Sequence, residues 1–77
     1  MIEIDQAFGQ AIRKYRLNLN LSQEDLAFRA GVHRTYISQI ERGLKSPTLK
    51  VIWVLAKALE ISMQELLHET ETSLEQE

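Results

Sequence analysis

Apolar side chains recur every three to four positions along this 77-residue chain, and their spacing predicts five helices. Ile4, Phe8, Ile12 and Tyr15 mark the first, over about 5–17, before Asn18 and Asn20 supply turn chemistry. Ser22 and Asp25 resemble a capping box that opens a second helix, which stops at Gly31, a residue able to take the left-handed conformation of a C-terminal cap. Val32, Ile37 and Ile40 turn inward on a third helix, roughly 34–42, closed by Gly43. Pro47 and Thr48 open a fourth, with Leu49, Ile52, Leu55, Ala56 and Leu59 as its core stripe, and Ser62 with Glu65 caps a short fifth carrying Leu66 and Leu67. No segment alternates with the period of a strand. The expectation is an all-α, compact five-helix domain over 1–69, followed by an acidic, flexible tail, TETSLEQE, over 70–77.

The break between the second and third helices, GVH, is too short for a distant antiparallel return and implies a steep crossing, which is helix-turn-helix spacing. With Ile37 and Ile40 inside, Arg34, Thr35, Ser38 and Gln39 lie on the outer face near the start of the third helix. A helix fits the DNA major groove, where arginine can donate twice to guanine and glutamine can pair with adenine, so these four are the candidate base-contacting residues. Arg42, Lys45 and Ser46 follow at the helix end, where cations and a hydroxyl suit phosphates. Each of these is also an ordinary surface residue when taken alone; the shared face and the flanking turn favour recognition.

The net charge of -2 looks unsuited to that purpose until it is divided along the chain. Between Arg13 and Lys50 eight basic residues face three acids, a local balance of +5, while the negative charge gathers at the two ends. Such asymmetry suits a molecule with one nucleic-acid face. Other chemistry has little to stand on. There is no cysteine, His33 and His68 have no partners at metal-ligand spacing, and no phosphate loop, nucleophile elbow or HExxH appears, so neither enzyme activity nor a cofactor or metal is expected. The acidic N-terminus and the lack of a long apolar run argue against secretion or membrane insertion, and a cytoplasmic location is expected.

The segment LSQEDLAFRAGVHRTYISQIERGLKSPTL resembles the helix-turn-helix of the Cro/C1-type repressor family, also called the XRE family, with SQEDLA, GV and YISQIERG its most specific pieces. Residues 8–67 can be laid along that family's five-helix, lambda-repressor-like pattern, and HRTYIS with IERG also resembles the controller proteins of restriction-modification systems. The resemblance implies a sequence-specific transcriptional regulator that binds double-stranded DNA. It implies a phosphate contact for Gln23, which also braces a polar side chain of the recognition helix. Tyr36 would meet a phosphate or a thymine methyl, or else pack partly buried, and His33, standing where a Ser or Thr cap is usual, retains a phosphate contact. Arg16 and Glu41 resemble the family's structural ion pair between the first and third helices. Asn20 replaces a common glycine, a mild departure because Asn tolerates positive φ.

The fourth helix is apolar on more than one face: Val51, Val54 and Ala58 form a second row, with Trp53 nearby. A helix apolar nearly all round needs cover on both sides, and in so short a chain a second copy is the simplest cover. A homodimer joined by Val51, Trp53, Val54, Ala58, Leu66 and Leu67 would read a near-palindromic operator, although Val51 and Ala58 also suit tighter packing within one chain. The alternative is an antitoxin-like interaction module whose fourth and fifth helices hold a different protein. No small-molecule ligand is expected.

Overall fold

A computed structural model describes residues 2–75. Among them are five helices and no strand: α1 Ile4–Asn18, α2 Gln23–Ala30, α3 Arg34–Glu41, α4 Leu49–Ala58 and α5 Met63–Glu75. No helix among the described residues is long and apolar enough to cross a membrane.

Local chemistry accounts for most boundaries. Glu3 with Gln6 and Ser22 with Asp25 form reciprocal capping boxes at α1 and α2. Thr48 Oγ1 accepts from the Val51 N–H, and Ser62 Oγ accepts from the Glu65 N–H at 2.9 Å. The Ser22 N–H donates in turn to the Asp25 carboxylate, and this bond holds the carboxyl below its ordinary pKa. α1 ends in a turn where Asn20 takes φ 57°, and α2 ends at Gly31 with φ 72°.

The core gathers Phe8, Ile12, Leu26, Ile37, Ile40, Leu55, Leu59 and Leu66 from all five helices. α1 is the hub, packing chiefly on α5 and α3, while α2 packs on both α3 and α4. Leu49, expected in the core stripe of the fourth helix, lies outside the core, and so does Ile4, the first of the apolar positions that mark α1. Ile4 is 60% exposed, at the first turn of α1, and Leu49 is 71% exposed, at the first turn of α4.

The last element also departs from expectation. Instead of a short helix and a tail beginning at residue 70, α5 continues for 13 residues to Glu75. Thr70 is buried and its hydroxyl donates to the Leu66 carbonyl at 3.0 Å, so the polar group enters the interior already satisfied. Thr72, Ser73 and Leu74 remain half-buried beyond it. Gln76 and Glu77, the end of the expected tail, lie outside the described residues.

Candidate nucleic-acid interface

The short helix α3 is held from behind. Ile37 and Ile40 are fully buried, Val32 packs against the core just before it, and Tyr36 is half-buried against the same core. That placement gives the Tyr36 ring a packing role. On the outward side Arg34 and Thr35 are exposed, and Ser38 and Gln39 are half-covered. The four proposed reading residues therefore share the surface that the core anchors leave free.

The rear of α3 is fixed to α1 by charge as well as packing. Arg16 Nε donates to Glu41 Oε2 at 2.6 Å and its Nη2 to Oε1 at 3.0 Å, a bidentate geometry, while Nη1 donates to the Leu21 carbonyl at 2.9 Å. The two side chains are only 9% and 4% exposed. The hydrogen bonds that Arg16 donates to Glu41 favour the charged guanidinium and raise its pKa. Gln23 Nε2 donates to the same Glu41 Oε1 at 3.1 Å. Because a carboxylate only accepts, this fixes the amide with its NH2 toward Glu41, leaving one N–H free for another acceptor. The start of α2, the end of α1 and the end of α3 thus meet at one carboxylate.

A residue absent from the sequence-based site completes this joint. Gly9 sits where α1 crosses the last turn of α3, and a Cβ there would run into the Ile40 carbonyl oxygen and lie 2.8 Å from that of Glu41. Its sequence signal was an isolated glycine inside an otherwise helical pattern, which commonly marks close packing.

The other candidates divide. His33 is exposed and its side chain makes no cap bond, so α3 begins without the side-chain help seen at α1, α2 and α4. Lys45 is exposed, and Arg42 is exposed with Nε donating to the Ser38 carbonyl at 3.3 Å. Ser46 is otherwise engaged: its hydroxyl donates to Asp5 Oδ2 at 2.6 Å, tying the loop after α3 to the start of α1. A phosphate at Ser46 would meet the Asp5 carboxylate, so the expected phosphate contact gives way to a structural role. Ion pairing also thins the basic segment, since Lys14, Arg16 and Arg29 face Glu69, Glu41 and Glu60. Among the described residues Arg13, Arg34, Arg42, Lys45, Lys50 and Lys57 have no ion-pair partner. No group of acidic or imidazole side chains among them fits a metal ion.

The residues expected at a dimer interface are likewise redistributed. Leu66 is 0% exposed and Ala58 is buried, so neither has surface for a partner; both belong to the protomer's own core. Val51 is partly buried against that core and Val54 is half-covered. The reason is that α4 lies between α2 and α5, which cover two of its faces. Left uncovered are Leu49, Trp53 at 49% exposure and Leu67 on α5, with Lys57 Nζ 4.7 Å from the centre of the Trp53 ring.

Known proteins share the fold and much of the sequence. The Helix-turn-helix family matches residues 12–66. The chain is 49% identical over 61 residues to the control protein C.BamHI of Bacillus amyloliquefaciens, covering 78% of this chain and 75% of that one. It is 44% identical over 66 residues to the control protein C.SmaI of Serratia marcescens, covering 86% and 79%. Among solved structures, the restriction-modification controller protein C.AhdI from Aeromonas hydrophila superposes with a TM-score of 0.79 at 44% identity, covering 80% of this chain and 94% of that one. The chain therefore belongs to the XRE-type helix-turn-helix family of DNA-binding transcriptional regulators.

Proposed function

We propose that this regulator acts as a controller-type homodimer in the cytoplasm, binding a near-palindromic operator with α3 in the major groove. One observation carries the reading: Arg34, Thr35, Ser38 and Gln39 share the outward side of a helix whose inward side is locked by Ile37, Ile40 and Glu41. Arg34 and Gln39 suit purine edges, and Thr35 and Ser38 suit several bases. Arg42, Lys45, His33 and the free N–H of Gln23 hold phosphates and set the register.

The uncovered apolar surface of α4 and α5 supports self-association. Leu49 and Trp53 are one turn apart on α4, and Leu67 lies beside Ile4, Pro47 and Ile52 around an apolar cleft of about 150 Å³. A two-fold axis there pairs the same surface of two copies and sets two α3 helices about 34 Å apart, one turn of DNA. No cofactor enters this scheme.

Selection from randomised duplex DNA at stated salt tests the reading. It expects an enriched site with two inverted halves spaced by about one helical turn. Equilibrium sedimentation should show a dimer, converted to a folded monomer by Leu49→Glu. No enrichment, or a stable monomer that captures a different protein through α4 and α5, refutes it.

A further inference from the structure

Of the six cations without an ion-pair partner among the described residues, Arg34, Arg42 and Lys45 lie on α3 or just after it, Lys50 lies beside Leu49 on α4, and Lys57 stands over the Trp53 ring. Arg13 stands apart on α1, yet helical spacing fixes where it points. It follows Gly9 by four residues and precedes Arg16 by three, so the three share one side of α1. Gly9 abuts the carbonyls of Ile40 and Glu41, and Arg16 grips the Glu41 carboxylate. Arg13 therefore emerges along the edge of α1 that meets the last turn of α3. The next residue, Lys14, belongs to the opposite edge, where it bonds Glu69 of α5 at 3.0 Å.

No internal partner accounts for Arg13. It is exposed, and the carboxylate nearest its edge, Glu41, is already occupied by Arg16 and Gln23. We infer that Arg13 takes a DNA backbone phosphate beside the C-terminal end of α3, making α1 a second clamp on the duplex. The inference rests on the DNA-binding reading above. A guanidinium suits this role because its donor fork matches phosphate oxygens, and α3, lying between α1 and the groove floor, leaves Arg13 no base edge to read. Arg13 then contributes affinity and orientation without sequence preference.

The test is the salt dependence of binding for the full chain, Arg13→Gln and Arg13→Lys on the selected operator and on a scrambled duplex. Arg13→Gln should bind both more weakly by the same factor and lower the log–log salt slope by about 1 per protomer, about 2 for the bound dimer, with an unchanged Tm. Arg13→Lys should keep the slope. An unchanged slope in Arg13→Gln overturns the inference, as does a loss confined to the operator or one that tracks a fall in Tm. Failure of the unmodified chain to bind any duplex in a salt-dependent way overturns the DNA-binding reading itself, and Arg13 with it.

Discussion

Replacing Gly9 with alanine adds one methyl group where α1 crosses the end of α3. In an unconstrained helix that change is favourable by about 1 kcal/mol, because alanine is the better helix former. Here the new Cβ meets the carbonyl of Ile40 and stands 2.8 Å from the oxygen and 2.9 Å from the carbon of Glu41, all backbone atoms that cannot rotate aside. Ordinary carbon–oxygen contacts lie near 3.3–3.6 Å, so α1 must withdraw by at least roughly half an ångström, and further at Ile40. Overpacking of this kind costs about 1–3 kcal/mol, and the rigidity of the obstacle argues for the upper end. The Arg16–Glu41 pair adds to the cost, since its 2.6 Å and 3.0 Å bonds span the same joint. Allowing for the helix-propensity gain, the expected net loss is about 2 kcal/mol, a fall of roughly 8–16 °C in Tm for a domain this small. Thermal melts followed by circular dichroism measure it, with Gly31→Ala as the comparison, because a Cβ there meets open space and suffers only from φ 72°. A Gly9→Ala protein as stable as the parent would refute the close approach of α1 and α3.

Other perturbations separate the anchoring of α3 from its reading. Glu41→Ala strands a buried Arg16 and should cost about 3–5 kcal/mol in urea unfolding, whereas replacing both partners with apolar residues of similar volume should cost much less; equal losses would deny the pair its burial. Arg34→Ala should leave Tm unchanged and relax operator discrimination by about 1–3 kcal/mol per half-site, while Lys45→Ala should weaken binding to all sequences and reduce the salt slope by about 1 per protomer. Asp25 has a depressed pKa in the folded chain, so the unfolded chain binds its proton more readily and stability rises with pH through that window. Its contribution is complete above the ordinary aspartate pKa of about 3.9 and lost as pH falls through the folded value; Asp25→Asn should flatten that acid limb in a pH series of melts.

Much of this architecture was legible in the sequence because helix periods and caps are local. Ser22 with Asp25, Thr48, Ser62, Asn20 and Gly31 mark helix ends by chemistry that depends on three or four neighbours, and the structure uses all of them. Periodicity shows which residues share a face; it does not show which of two apolar faces a neighbour covers. On α4 that ambiguity placed Leu49 in the core and left Ala58 between an interface and tighter packing within the chain; Leu49 is exposed and Ala58 is buried. The extension of α5 was hidden by polar composition, because Thr70 enters the interior with its hydroxyl bonded to its own helix. Ser46 and Gly9 owe their roles to partners 41 and 31 residues away, Asp5 and Ile40, a separation no local pattern reports.

The junction at Glu41 also bears on how this domain can be divided. Arg16 belongs to α1, Gln23 opens α2 and Glu41 ends α3, so the two-helix motif is not an autonomous unit. An excised segment from Ser22 to Gly43 would keep every proposed base-reading side chain, yet Glu41 would lose its guanidinium partner, and the carbonyls of Ile40 and Glu41 would lose the helix packed on them. At eight residues each, α2 and α3 are too short to persist alone in water. α1, α2 and α3 therefore hold one another in place, and grafting this specificity onto another scaffold should require α1 to travel with it.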